Sequence, residues 1–301
     1  MMVMDSHMHL IRMKNFDKPT YASLNLGLPK DTDLDTLVNW YKEAGISHAV
    51  CMGQDMTRIW NTTFGEAYVR EAYQRYPDFF IPFASLEPID KFNRFNQAAY
   101  DELERSILED SIKGVLLTPP YGQYMSNDKT VYPFYQLVQK HDIVMQYHHS
   151  AQMGPAILAP TQYAKMENLN EVCVDFPKMK IVVEHLGYPW SEHLFVLMTN
   201  CPQMYTDLAM TYNRPMWVAW QLVLAREYGV IDRVMFATDY VSFSYDLFSD
   251  NPANDFKSWI NVVRFDLNEI NQKCGWPLLT DNEIEDILFR TASKLYGIKE
   301  K

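Results

Sequence analysis

Along this chain, short apolar runs alternate with longer amphipathic stretches, and that alternation restricts it to folds built from repeated strand and helix pairs. The first run, Met2–Met4, leads into Asp5-Ser6-His7-Met8-His9 and reads as a strand. Asp33 to Ala44 places Leu34, Leu37, Val38 and Tyr41 on one helical face, with Asp33 as its cap and Gly45 as its stop. Further strands are expected at His48–Met52, Phe79–Ser85, Ile112–Leu117, Ile143–Tyr147, Lys180–Glu184, Met204–Leu208 and Val234–Ala237. Helices are expected between them at Phe64–Tyr76, Phe95–Glu109, Val131–Lys140, Met166–Asp175, Glu192–Met198 and Met216–Tyr228. Two more close the chain, near Asn254–Cys274 and at Asp281–Tyr296.

The expected strands are nearly continuous apolar runs, as parallel strands covered on both faces must be. The 301 residues accommodate a (β/α)8 TIM barrel, which takes about 250, as a single catalytic domain over residues 1–301. An open, doubly wound sheet is the competing architecture, but no G-x-G-x-x-G or phosphate loop follows the first strand to favour it.

Charge and cysteine usage narrow the partners. A formal net charge of -11 repels phosphate backbones and anionic lipid, so neither nucleic acid nor a membrane is an expected partner. No apolar run reaches the ~18 residues of a membrane span, and the N-terminus lacks the basic segment of a signal peptide. Cys51, Cys173, Cys201 and Cys274 are far apart with no C-x-x-C pair, which points to reduced thiols in a cytoplasmic protein. A small-molecule substrate is expected. A homo-oligomer is compatible with the sequence, and nothing in it specifies one.

In a barrel, the chemistry lies at the C-terminal ends of the strands. Five of the eight histidines fall there: His7, His9, His148, His149 and His185. Residues i and i+2 of a strand face the same way, so His7 and His9 can reach one ion together. A histidine from the fifth strand and Asp239 after the eighth complete a set of three nitrogens and one oxygen. That set suits one divalent ion, zinc first and manganese second. His148 and His149 should point to opposite sides, so one of them enters the mouth. His148 is preferred, with His149 as alternate ligand or a residue behind it. His185 is a candidate general acid/base, and Asp239 a ligand or proton acceptor. Glu184 and Asp207 rank lower, as partners of a neighbouring cation. Arg12, Arg58 and Tyr121 lie in loops where they can meet a substrate carboxylate. Trp190, with Trp60, Tyr124, Tyr188, Tyr240 and Phe243, can wall a pocket.

These residues, in this order, resemble the amidohydrolase superfamily, and more closely its branch containing aminocarboxymuconate semialdehyde decarboxylase. The likeness is carried by Asp5-Ser6-His7-Met8-His9, Ile112-Lys113-Gly114-Val115, His148-His149 and His185-Leu186-Gly187-Tyr188-Pro189-Trp190. It continues through Tyr205-Thr206-Asp207-Leu208, Arg233 to Tyr240 and Arg290 to Tyr296. The resemblance implies metal ligation by His7, His9, His148 (or His149) and Asp239, with His185 acting on substrate or water. The bridging lysine of binuclear relatives is missing: Lys113 is at the start of its strand, and Leu116, Leu117 and Thr118 occupy the other end. A single metal ion follows. The substrate-binding arginine of the decarboxylase branch has no counterpart between Asp31 and Ala44. The first functional reading is therefore a metal-dependent hydrolase of a small polar or carboxylated molecule. Non-oxidative decarboxylation of an aromatic or unsaturated acid is the alternative, and a non-catalytic ligand-binding barrel the third.

Overall fold

The computed structural model describes residues 2–15, 17, 22, 31–152, 158–241 and 249–299. Eight parallel strands follow one another around a single sheet. They are β1 (Val3–His9), β2 (Ile46–Met52), β3 (Phe80–Ser85), β4 (Gly114–Leu117), β5 (Val144–Tyr147), β6 (Lys180–Val183), β7 (Met204–Asp207) and β8 (Val234–Met235). The ring closes where Ser6 N donates to Phe236 O at 3.1 Å, Asp239 N to His7 O at 2.8 Å and His9 N to Tyr240 O at 2.9 Å. This is the expected (β/α)8 barrel.

Helices α1 (Leu34–Glu43), α2 (Glu66–Arg75), α3 (Gln97–Glu109), α4 (Tyr132–Lys140), α5 (Glu167–Asp175), α6 (Ser191–Asn200) and α7 (Pro215–Glu227) cross over between consecutive strands. Each starts or stops for local reasons. Asp33 caps α1 by accepting from Thr36 N at 3.0 Å, and Pro215 opens α7 where its missing N–H costs nothing. The long tail pattern over Asn254–Cys274 resolves into α8 (Pro252–Asn261), a π-helical turn at Val262–Asp266 and α9 (Leu267–Cys274).

The barrel interior is a packed core. Met4, Val50, Ile81, Phe83, Leu116, Val144, Val182 and Met235 form one buried cluster with Phe289, Ala292 and Tyr296 of the C-terminal helical segment. The expected helix at Asp281–Tyr296 therefore contributes to the core instead of only flanking it. Gly114 shows how tight the packing is. A Cβ there would meet the Phe83 ring at 2.4 Å and Val144 O at 2.6 Å. Gly114→Ala is expected to destabilise the protein by about 1–3 kcal/mol through overpacking. Chemical denaturation would show this as a lower midpoint, and an unchanged midpoint would contradict the packing described.

Several short features of the described residues went unforeseen, two of them beside the mouth loops. Asp55–Met56 pairs antiparallel with Thr62–Thr63, and Pro119–Gly122 forms one helical turn after β4. Both are loop decorations too short to leave a periodic signal. No described helix is long and apolar enough to cross a membrane.

Candidate metal centre and active site

β1 is wholly buried, although it carries Asp5, Ser6, His7 and His9. Such a strand is tolerated only if its polar groups are satisfied. Asp5 accepts from Thr238 N at 2.9 Å, Thr238 Oγ1 at 2.6 Å, Tyr41 Oη at 2.9 Å and His7 N at 3.1 Å. Burial lifts its carboxyl to about 6, and these donors limit the rise. Asp5 thereby ties β1 to the Thr238-Asp239 segment. The register against β2 shifts between Asp5 and Met8, the stretch that carries His7.

Beyond Asp5, His7 Nε2 and His9 Nε2 lie 3.0 Å apart. His9 Nδ1 donates to Gly53 O at 2.9 Å, and His7 Nδ1 faces Asp207 Oδ2 at 3.3 Å. With protons on both Nδ1 atoms, two lone pairs meet at the Nε2 atoms, which only a cation or a shared proton can reconcile. Asp239 Oδ1 lies 3.4 Å from His7 Nε2 and 3.3 Å from His9 Nε2. Burial disfavours charge on His7, but Glu184, Asp239 and Asp207 outweigh it and raise His7 to about 10. Burial likewise pushes Asp239 up, but His7 and His9 pull it below the usual carboxylate range. This nitrogen and carboxylate set, inside a ring of anions, fits a divalent ion.

The sixth strand departs from simple alternation. It ends at Val183, one residue before the expected Glu184. His185, Leu186 and Gly187 then adopt left-handed backbone, with φ of 58°, 53° and 60°. The turn lets adjacent Glu184 and His185 both face the mouth, which a continued strand would forbid. Glu184 Oε1 accepts from Gln146 Nε2 at 2.9 Å and lies 3.4 Å from His7 Nε2. Its Oε2 accepts from His148 Nδ1 at 3.0 Å. Burial opposes ionisation of Glu184, but His7 and His148 more than compensate and hold it well below its ordinary value. His185 Nδ1 donates to Ala209 O at 3.0 Å, leaving the Nε2 lone pair toward the mouth. Burial lowers its pKa and outweighs the nearby carboxylates, so it is neutral.

Among the described residues, the candidate ligand atoms form three groups, each within 4.8 Å: His7, His9 and Asp239; His7, His185 and Asp207; His148, Glu184 and His185. His148 thus enters the mouth but stands in a different group from His7, His9 and Asp239. His149 turns away, with Nε2 2.7 Å from Ser126 Oγ. Burial holds His149 neutral, its pKa lowered to about 3. Between about 6.5 and 3 the unfolded chain binds a proton that the folded chain excludes, so stability falls as pH drops through that window. His149→Gln removes this titration. Its acid-unfolding midpoint is expected at lower pH than that of the unsubstituted protein, and a midpoint at equal or higher pH would refute the assignment.

Of the other expected contacts, Tyr121 is at the mouth, its ring 5.0 Å from that of His148. Arg58 is not: its guanidinium donates to the carbonyls of Asp90, Gly122 and Gln123 and to Asn93, tying three loops together. Arg12 pairs with Glu71 at 3.0 Å over the Tyr68 ring. Trp190 packs against the helical core at the start of α6. Phe243 lies outside the described residues. Glu184 and Gln146 are the site residues that sequence reasoning undervalued. The only signal for Glu184 was its place before the His185-Leu186-Gly187 turn.

The family model described as amidohydrolase matches residues 4–298. No curated protein matches the sequence. Among solved structures, 2,6-dihydroxybenzoate decarboxylase from Rhizobium is similar at 15% identity and a TM-score of 0.65, covering 99% of each chain. A probable 2-pyrone-4,6-dicarboxylic acid hydrolase from Acinetobacter baumannii has 16% identity and a TM-score of 0.66, covering 99% of this chain and 100% of that one. The 4-oxalomesaconate hydratase of Rhodopseudomonas palustris has 16% identity and a TM-score of 0.63, covering 99% of this chain and 96% of that one.

Proposed function

The chain belongs to the amidohydrolase family and is an enzyme, and from that premise we propose that it is a metal-dependent hydrolase of a small polar or carboxylated molecule. Residues 1–301 act as one catalytic domain. The observation that carries this reading is the 3.0 Å approach of two imidazole nitrogens whose partner nitrogens face acceptors, beside an ionised Asp239. His7, His9 and Asp239 hold one divalent ion, zinc or manganese, in the working enzyme. The fourth donor is His148 or Glu184, which are bonded to each other. When bound, such an ion polarises a substrate oxygen and brings the pKa of its water to about 7.

The protein's own groups do the rest. His185 is fixed in one tautomer by Ala209 O, so its Nε2 is the atom that accepts a proton and returns it to the leaving group. Asp239 Oδ2, 3.8 Å from His185 Nε2, stabilises the imidazolium that forms. Gln146 and Glu184 fix the His148 ring, and the Tyr121 ring lies against it. Burial of the cluster excludes bulk water and strengthens each interaction.

Decarboxylation of an aromatic or unsaturated acid is the second reading. The similarity of fold to 2,6-dihydroxybenzoate decarboxylase favours it, and His185 would then govern protonation at carbon. Against it, the Arg12 guanidinium is engaged by Glu71 and that of Arg58 by loop carbonyls. The four cysteines are free thiols.

A test incubates zinc- or manganese-loaded protein with lactones and amides and, separately, with hydroxybenzoates and unsaturated acids. Hydrolysis without CO2 release is expected. CO2 from the acids would overturn the hydrolase reading in favour of the lyase.

A further inference from the structure

The fold brings together two cysteines that the sequence keeps apart. Cys173 lies near the C-terminal end of α5, and Cys201 immediately follows α6. The helices of a barrel run back from the mouth, so both thiols sit at the end opposite His7 and His9. Cys201 is 5% exposed, in the cluster that holds Val172, Phe176, Leu197 and Met198, and the partly buried Cys173 packs against the same cluster. There the two thiols are in hydrogen-bonding contact.

Their surroundings give the two sulfurs different roles. Cys201 ends α6 in an ordered turn. Its N–H donates to Leu197 O at 2.8 Å, and its carbonyl accepts from Met204 N at 3.0 Å and Arg233 Nη1 at 3.1 Å. The Cys173 S–H donates to Cys201 Sγ and holds that thiol below its usual range, with the Gln203 N–H and the Arg233 guanidinium adding to the effect and burial opposing it. Cys173, as the donor and in part through burial, is held above that range. A thiolate made accessible in this way, beside a second thiol, is the arrangement of a reactive cysteine and its resolving partner. Cys51 differs: burial raises it and keeps it a thiol.

We propose that Cys173 and Cys201 are a reversible oxidation site, at which a peroxide joins them in a disulfide that staples α5 to α6. The Cys201 thiolate attacks one peroxide oxygen. The O–O bond breaks, Cys201 becomes a sulfenic acid, and the departing hydroxide takes up the proton Cys201 released and leaves as water. The Cys173 sulfur then displaces the sulfenic hydroxyl: the S–S bond forms, the S–O bond breaks, and the hydroxyl leaves with the Cys173 proton as a second water. The two sulfurs lose two electrons and the peroxide gains them. A dithiol reverses the bond by exchange. The closed loop contains β6 and the turn at His185, so the staple restricts the unfolded chain around the segment that carries Glu184 and His185. None of this depends on the metal-centre reading.

The experiment needs neither metal nor substrate. The full-length protein carrying Cys274→Ser, which removes the exposed thiol, is reduced, freed of reductant and treated with equimolar hydrogen peroxide. It is then blocked with iodoacetamide in urea, digested and mapped by mass spectrometry without reductant. A cross-linked peptide pair joining Cys173 to Cys201, short of two hydrogens, is expected, with Cys51 recovered as a free, alkylated thiol. Dithiothreitol should restore both thiols, and the oxidised form should unfold at a higher urea concentration than the reduced form. Cys173→Ser is expected to leave a sulfenic acid on Cys201 that dimedone traps. Cys201→Ser is expected to slow oxidation of Cys173 by about tenfold, because an ordinary thiol is only a few per cent thiolate at neutral pH. The peptide map, made on protein that keeps both thiols, decides the bond even where a serine variant does not fold. Thiols intact at both positions after peroxide, a bond to Cys51 in place of this one, or oxidation of Cys173 that Cys201→Ser does not slow overturns the proposal. An oxidised form that unfolds at the same or a lower urea concentration overturns the staple.

Discussion

His9→Ala is expected to strip the protein of its working metal ion and to lower turnover by about 10³-fold, with the fold intact. The size follows from what an ion supplies to a developing negative charge, several kcal/mol, and about 4 kcal/mol is a thousandfold in rate. His9 is the cleaner choice of the two ligands on β1. Its Nδ1 bond goes to a single carbonyl, Gly53 O at 2.9 Å, whereas His7 faces Glu184, Asp207 and Asp239 together. His7→Ala would leave three carboxylates crowded without a counter-charge and would confuse unfolding with loss of metal. Metal content by mass spectrometry, the far-ultraviolet circular dichroism spectrum and turnover are measured together. A His9→Ala protein that keeps a full equivalent of tightly bound metal and full activity would remove the basis of the functional reading.

His185→Asn should behave differently. The amide can still donate to Ala209 O, but it presents no lone pair able to take a proton at neutral pH. Turnover is expected to fall by about 10²- to 10⁴-fold, the usual contribution of a positioned acid/base, while the metal ion binds as before. The pH profile gives an independent readout. The limb that reports His185 titration should vanish in the variant, whereas a purely structural role would lower the rate at every pH and keep the profile's shape. Because burial lowers its pKa, His185 in the unsubstituted enzyme remains a competent base below its ordinary range, and activity should hold on the acid side of neutrality.

The barrel was readable because its periodic signals are long. Apolar strands such as Ile181-Val182-Val183 and one-sided helices such as Leu34–Glu43 repeat often enough that errors of one or two residues at their ends do not matter. The approach of His7 to His9 was readable because the two are two apart on a strand, a spacing that turns both rings to one face, and their Nε2 atoms lie 3.0 Å apart. Loop geometry was not readable. Three consecutive left-handed residues at His185, Leu186 and Gly187 reverse the expected alternation and bring Glu184 into the mouth. Only Gly187 among them advertises that conformation in sequence. Arg58 shows the opposite failure: a lone cation after β2 looked available to substrate, yet nearby carbonyls claim it.

The clamp of Asp5 on Thr238, which seals the last strand to the first, has a consequence for how the enzyme is made. On the ligand set proposed, donors separated by more than two hundred positions meet only when the ring is complete, so a chain still emerging from the ribosome would lack the full set. With His7, His9 and Asp239 as the proposed ligands, loading would follow synthesis of the eighth strand, and a fragment cut short of Asp239 should leave the factory empty.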